Sequence, residues 1–123
     1  MVIDGNVGGN ESRRAAEASE CAAEQNKFWE FHATVFANQT GENVGTFPDR
    51  KLKAIADSVG LDMTAFNTCF DTSRHANVVT ADETLARGLG VSGTPSLFVN
   101  GTRVQNPLDI NEISQLIDAG LAQ

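Results

Sequence analysis

A single run of residues near the end of the chain limits the possible fold most. It covers residues 90–101 and reads Gly-Val-Ser-Gly-Thr-Pro-Ser-Leu-Phe-Val-Asn-Gly. Asn-Gly is the dipeptide best suited to a type I′ hairpin turn, because both central residues of that turn need positive φ. The run therefore predicts a Gly-Thr-Pro loop, an apolar strand from Ser96 to Val99, a tight turn, and a returning strand through Val104.

Helical periodicity dominates the rest of the chain. Before residue 96 no strands alternate with helices, so the chain alone cannot build a doubly wound sheet. Asn10, Asp62 and Asp109 are suitable residues to cap helix N-termini, and Asp109 with Glu112 forms a capping-box pattern. The pattern predicts a mainly α fold with one small hairpin. Its helices are expected at about residues 10–25, 27–38, 48–59, 62–71 and 74–88, with a last one after 109.

From about Asn10 to the C-terminus, the chain resembles the C-terminal portion of DsbA-like thiol–disulfide oxidoreductases, which have the thioredoxin fold. The residues that carry the resemblance are the Ala-rich stretch Glu11–Asn38 with its Lys-Phe-Trp-Glu-Phe-His, the Gly-Thr-Pro loop, the Asn-Gly hairpin and the final helix, in the family's order. The resemblance implies an N-terminal remnant (1–9), the DsbA-like helical insert (10–90) and the C-terminal ββα part of the thioredoxin-like fold (91–123), forming one structural unit.

The resemblance also implies which residues meet a substrate. Thr94 and Pro95 would form the family's cis-proline loop, in which Thr94 offers its N–H and C=O to an extended peptide. The Cys-x-x-Cys pair that faces this loop in the family is missing here, since the only cysteines are Cys21 and Cys69. The chain is therefore expected to be a redox-silent fragment with no catalytic residue of its own.

The two cysteines leave two readings open. Glu17, Glu20 and Glu24 lie within a turn of Cys21, and their negative field disfavours a catalytic thiolate there. The cysteines are then either two buried free thiols or a structural disulfide between the first and fourth helices. The second reading follows from the resemblance, because some DsbA-like proteins carry a second, non-catalytic bridge in the insert.

His32 and His75 are the residues that could join the cysteines in a metal site. The spacings Cys21-x10-His32 and Cys69-x5-His75 fit no short zinc motif, and paired cysteines cannot also ligate, so neither a metal nor a cofactor is expected. His32 lies on an aromatic helix stripe and is expected to be partly buried. Trp29, next to Phe28 on the same helix, is expected to pack in the core.

Chain length, net charge and the absence of long apolar runs restrict the kinds of partner that this chain can bind. The 123 residues suffice for one domain, and the net charge of −7 argues against binding nucleic acid through bulk electrostatics. No apolar run approaches the ~18 residues of a membrane helix, so no membrane insertion is expected. An unpaired edge of strand Ser96–Val99 predicts a homodimer through that edge.

Two functions are consistent with these observations. The first is a fragment of an oxidoreductase that exchanges disulfides with extended protein substrates and whose parent is exported from the cytoplasm. The second is a non-catalytic peptide-binding or dimerising module of thioredoxin-like descent. Glutathione transferases of the kappa type share the topology of the helical insert. Their catalytic serine would also lie in the part of the fold that is missing here, so this chain would not carry it.

Overall fold

The computed structural model describes residues 10–41 and 44–123, so the expected N-terminal remnant at 1–9 lies outside the described residues. The chain forms two compact units, Met1–Leu89 (the helical unit) and Gly90–Gln123 (the hairpin unit). The predicted fold class, mainly α with a small hairpin, is confirmed. The helical unit contains α1 (Glu11–Ala23), α2 (Phe28–Ala37), α3 (Asp49–Ser58), α4 (Met63–Asp71) and α5 (Ala76–Gly88); the hairpin unit contains β1 (Phe98–Val99), β2 (Thr102–Arg103) and α6 (Ile110–Leu121).

The helical unit is organised around α1, which contacts α2, α3, α4 and α5. Ala18 and Ala22 on α1 are fully buried, and their small side chains allow the neighbouring helices to approach closely. Phe31 of α2 contacts Phe66 of α4 with ring centroids 6.3 Å apart, and Phe66 stacks on Phe70 at 5.5 Å. The core of this unit consists of Ala18, Cys21, Ala22, Phe31, Phe47, Leu52, Ile55, Ala56, Leu61, Phe66, Cys69 and Phe70.

Two helices of this unit begin at the N-cap residues predicted from the sequence, Asn10 and Asp62. The Asp62 carboxylate accepts hydrogen bonds from the N–H groups of Thr64 (3.0 Å) and Ala65 (3.1 Å), as predicted for an N-cap. Asn10 is the N-cap residue of α1, as predicted, but its side chain makes no capping hydrogen bond. Asn10 has φ −103° and ψ 5°, whereas a capping side chain needs the extended backbone that aims it back at the first turn.

The hairpin unit has the predicted turn but shorter strands. β1 and β2 are antiparallel, with Phe98 opposite Arg103 and Val99 opposite Thr102. Asn100 (φ 49°) and Gly101 (φ 80°) both have the positive φ that a type I′ turn requires. The strand was expected to begin at Ser96, but β1 begins at Phe98. The pairing still extends one residue further, because the Val104 N–H donates to the Leu97 carbonyl at 2.9 Å.

The capping box predicted at the start of α6 is only half formed. The Asp109 carboxylate accepts from the N–H groups of Asn111 (2.9 Å) and Glu112 (3.4 Å), as expected. The Glu112 carboxylate does not return to the Asp109 N–H, because that group donates to the Asn106 carbonyl instead. Glu112 accepts from the N–H groups of Gln105 (2.5 Å) and Asn106 (2.9 Å), and so ties the segment after the hairpin to α6.

Candidate functional site

The loop before β1 carries the two residues expected to meet a peptide. Thr94 and Pro95 are exposed, and the bond between them is cis, as the resemblance implied. Below them, the Ser96 hydroxyl donates to the Gly93 carbonyl at 2.6 Å and closes the loop on itself. The peptide-binding role of Thr94 and Pro95 stays a prediction.

Arg103 supports this loop from β2. Its guanidinium donates to the Gly90 carbonyl (3.2 Å) and to the Ser96 hydroxyl (3.4 Å), and it lies 5.8 Å from the centre of the Phe98 ring. One side chain thus connects both ends of the 90–96 loop to the hairpin. Arg103 was not among the functional residues predicted from the sequence. The sequence did give one indication: Arg103 is the second residue after the Asn-Gly turn, where a long side chain on the returning strand can reach back to the loop.

Cys21 and Cys69 form a disulfide that joins α1 to α4. Their Cα atoms are 5.9 Å apart, and the two residues are 1% and 0% exposed. Of the two readings left open by the sequence, the structure therefore shows the bridge, and neither cysteine is a free thiol. A bonded and buried sulfur pair of this kind cannot act as an exposed nucleophile.

Two of the three acidic residues near Cys21, Glu17 and Glu24, are engaged in ion pairs that were not predicted from the sequence. Glu24 accepts from Arg74 Nη1 at 2.8 and 2.9 Å and is paired with His75 Nε2 at 2.8 Å. The hydrogen bond from Arg74, followed by that from His75, lowers the pKa of the Glu24 carboxyl below its ordinary value of 4.5. The buried Glu17 (4% exposed) pairs with Arg14 at 3.3 Å. The charges of Glu17 and Glu24 near Cys21 are therefore balanced by cationic partners.

A groove of about 330 Å³ lies between α1 and α2. Its walls are mainly apolar and include Ala15, Ala16, Phe28, Val35, Phe36 and Phe47. His32 lines the groove half-buried, with its ring 4.6 Å from that of Phe36, in agreement with the expected partial burial. These walls can hold an apolar side chain, and Ser12 and Ser19 add hydroxyl groups beside His32.

The prediction that Trp29 packs in the core was wrong, because the residue is 72% exposed. Its ring meets only the neighbouring rings of Phe28 (5.0 Å) and His32 (5.4 Å) edge-on among the aromatic contacts of the described residues. Phe31, two positions further on, is the residue of α2 that enters the core. Two positions correspond to about 200° around a helix, so the helical spacing itself could have placed Trp29 on the outer face.

Among the residues that the structure describes, one cluster brings three possible metal ligands together, Cys21, Cys69 and His75. His32, the other histidine of the chain, is not part of this cluster. With both sulfurs in the disulfide, the cluster offers no thiolate to a metal. None of the helices in the described part of the chain is long and apolar enough to cross a membrane.

Comparison with known proteins gives one family and one group of relatives. A family model described as thioredoxin matches residues 2–119. The chain is 34% identical over 111 residues to Na(+)/H(+) antiporter NhaA 3 of Salinispora tropica, which covers 90% of this chain and 16% of that protein. It is 33% identical to NhaA 1 of Salinispora arenicola (88% and 16%) and 32% identical to NhaA 1 of Mycolicibacterium vanbaalenii (86% and 17%). The chain thus spans about a sixth of the length of these curated relatives.

Proposed function

The chain belongs to the thioredoxin family, and from this premise we propose that it is the substrate-facing portion of a DsbA-like thiol–disulfide oxidoreductase, without the redox dithiol. The observation that carries the proposal is the exposed Thr94-Pro95 loop, supported by Arg103 at the base of the hairpin. An exposed backbone segment at the end of a strand can pair with an extended peptide through main-chain hydrogen bonds, largely independently of the peptide's sequence.

In the parent protein, this loop would hold the substrate while two cysteines outside this chain exchange electrons with it. A substrate thiolate attacks the parent's disulfide and forms a mixed disulfide, which releases one parent thiol. The second substrate thiolate then attacks the mixed disulfide, so the substrate gains a disulfide and the parent becomes a dithiol. In this scheme Thr94 orients the peptide through its backbone and takes no part in the electron transfer.

The bridge in the helical unit supports an exported parent. Disulfides persist in oxidising compartments and are rare in the reducing cytosol. The relatives named as Na(+)/H(+) antiporters match this chain over only about a sixth of their length. We therefore propose that the segment works within a longer chain that is exported from the cytoplasm to an oxidising compartment.

A second candidate is a non-catalytic module that binds peptides or dimerises. It is favoured by the cysteine content, because the only two cysteines of the chain are joined to each other in the core. The in-frame genomic sequence upstream of Met1 separates the candidates. A strand followed by Cys-x-x-Cys supports the oxidoreductase, whereas a stop codon followed by a ribosome-binding site supports the module.

Peptide binding is tested on the purified chain by NMR titration with an unlabelled extended peptide. We expect the backbone amide signals of Thr94, Ser96 and Leu97 to move. The variant Arg103→Lys should bind about tenfold more weakly, because the loop loses one or two supporting hydrogen bonds. The matched control Arg87→Lys, on α5, should bind like the unsubstituted chain. Shifts elsewhere only, or equal affinity of the two variants, would contradict the proposal.

Activity is tested separately. The chain should neither reduce insulin nor oxidise a dithiol peptide, because its two sulfurs are buried and bonded. Turnover at the level of a thioredoxin would contradict this expectation.

A further inference from the structure

The cluster of Cys21, Cys69 and His75 has no role in peptide binding. Each residue offers one ligand atom, and these atoms all lie within 4.8 Å of one another. The three residues come from different elements, since Cys21 is on α1, Cys69 is on α4, and His75 is the residue immediately before α5. Thiolate and imidazole are the ligands that zinc prefers in proteins.

The imidazole in this cluster is already held in place. Glu24 is paired with His75 Nε2 at 2.8 Å, and Glu24 is itself held by Arg74 at 2.8 Å. As long as Nε2 keeps this pairing, Nδ1 is the ring nitrogen left for a metal. A carboxylate on the far nitrogen of a ligating histidine fixes the ring and raises its basicity, and this arrangement is common in zinc sites.

We propose that reduction of the Cys21–Cys69 bridge converts this cluster into a zinc site with two thiolates and one imidazole as protein ligands. A dithiol reductant supplies two electrons and two protons to the bridge, which becomes two thiols, and the reductant becomes a cyclic disulfide. A zinc ion then displaces the two thiol protons to solvent and bonds to both sulfurs and to His75. A water molecule completes the tetrahedral coordination.

The net charge of the site and the distances between its ligand atoms both favour the zinc site over a reduced core with two buried thiolates and no metal. Zn²⁺ with two thiolates and a neutral imidazole has no net charge, so the buried sulfurs are deprotonated without leaving an uncompensated charge in the core. In a tetrahedral site with Zn–S bonds of about 2.3 Å and Zn–N bonds of about 2.1 Å, ligand atoms lie about 3.5–3.8 Å apart. Side-chain rotation can bring atoms within 4.8 Å to that separation.

The site would also replace the bridge as a link between helices. In the oxidised chain α1 and α4 are joined through the sulfurs, and in the reduced chain they would be joined through the metal, together with the start of α5. The helical unit would then keep a crosslink in both oxidising and reducing conditions, provided that zinc is present.

The experiment uses the full chain, reduced with a phosphine under anaerobic conditions and titrated with Co²⁺, a coloured substitute for Zn²⁺. We expect one equivalent to produce a sulfur-to-cobalt charge-transfer band and the intense visible bands of tetrahedral cobalt, and Zn²⁺ to displace both. The oxidised chain should produce neither. His75→Gln should bind at least about tenfold more weakly, and Glu24→Gln about 10–100-fold more weakly. His32→Gln, which changes the other histidine of the chain, should bind normally.

Reduction of the bridge could itself loosen the fold, so circular dichroism of each sample is used to measure its helix content and its unfolding temperature. Zn²⁺ should raise the unfolding temperature of the reduced chain, and this rise should be lost in His75→Gln but not in His32→Gln. The proposal is overturned by any of four results: no sulfur-to-cobalt band in the reduced chain, equal binding to the oxidised chain, unchanged affinity in His75→Gln, or a reduced chain that is unfolded and that metal does not refold.

Discussion

Arg14 connects three helices of the helical unit through one guanidinium group. It pairs with Glu17 on its own helix (3.3 Å), with both carboxylate oxygens of Asp49 at the start of α3 (3.2 Å each), and with the Phe70 carbonyl on α4 (3.3 Å). Its guanidinium carbon also lies 3.8 Å from the centre of the Phe70 ring. A planar, five-donor group can satisfy these partners together, which a lysine ammonium cannot.

Replacing this group should be costly. We expect Arg14→Met to lower the free energy of unfolding by about 2–4 kcal/mol, because it leaves the buried Glu17 carboxylate with only the longer contact to Arg13. The double variant Arg14→Met/Glu17→Met should recover part of the loss. Urea unfolding followed by circular dichroism measures both. Arg87→Met removes an exposed pair with Glu83 and should change the stability by less than about 0.5 kcal/mol; equal losses at Arg14 and Arg87 would contradict the argument.

Glu24 gives the stability a dependence on pH. Because the pKa of its carboxyl in the folded chain is lowered below 4.5 by Arg74 and His75, its stabilising effect is complete above that pH and is lost as the pH falls through the folded pKa. Glu24→Gln should therefore be less stable than the unsubstituted chain at neutral pH, by up to about 1 kcal/mol. The difference should shrink below about pH 4.5. Thermal unfolding across this range measures it, with Glu30→Gln on α2 as the control. A gap that widens with acid would refute the assignment.

At the scale of the elements, α3 shows how a helix end depends on one backbone conformation. Gly60 has φ +83° directly after the helix, and the Leu61 N–H donates back to the Ala56 carbonyl at 3.2 Å. This is the pattern of a C-terminal cap closed by a residue in the left-handed region, which L side chains disfavour. Gly88, the last residue of α5, does not have a positive φ. A comparison of substitutions at Gly60 and Gly88 therefore tests the effect of that backbone conformation.

The two glycines should respond to alanine with opposite signs. A Cβ at either position would meet nothing within 4 Å, so only the backbone conformation differs. Gly60→Ala should lower the free energy of unfolding by about 1 kcal/mol, because it forces alanine into the left-handed region. Gly88→Ala should raise it by about 0.5 kcal/mol, because alanine loses less entropy than glycine in a helix. Urea unfolding of the two variants measures both changes in the free energy of unfolding. Two changes of the same sign would contradict this prediction.

The helices and the turn were predictable from sequence because they depend on local patterns. Leu52, Ile55 and Ala56 repeat at helical spacing on α3 and are all buried, and Asn100-Gly101 specifies its turn by itself. The partners of polar side chains were not predictable in the same way. Glu112 accepts hydrogen bonds from Gln105 and Asn106, and Arg103 donates one to Gly90. These pairs form because the fold of the intervening segment brings the donors and acceptors within reach.

At the scale of the whole molecule, the hairpin unit exposes much of its apolar surface. Ile110, Ile117 and Leu121 are exposed and lie at positions i, i+7 and i+11 of α6, on one face of the helix. β1 pairs with β2, and in the described residues no further strand joins this sheet. Leu97, next to β1, is exposed as well. A two-stranded sheet with such a surface is marginal by itself in water.

We expect the chain to self-associate through the hairpin unit, by pairing of strand edges or by burial of the α6 face. Sedimentation from micromolar to millimolar concentration should show a monomer–dimer equilibrium. Leu97→Lys should shift it toward monomer if the strand edge is the contact, and Ile117→Lys if the helix face is. Leu85→Lys, at an exposed position on α5, is the control and should leave the equilibrium unchanged. A monomer throughout this range would contradict the expectation.

The bridge between α1 and α4 gives the backbone the covalent topology of a closed ring with two tails. The ring runs from Cys21 to Cys69, and both α2 and α3 lie wholly within it. A single backbone cut inside the ring, for example after Gln39, therefore opens the circle without separating the pieces. A chain nicked there would migrate as one species on a gel without reductant and as two fragments with it. In such a nicked chain the bridge, and no longer the continuous backbone, is the covalent link between α1 and α4.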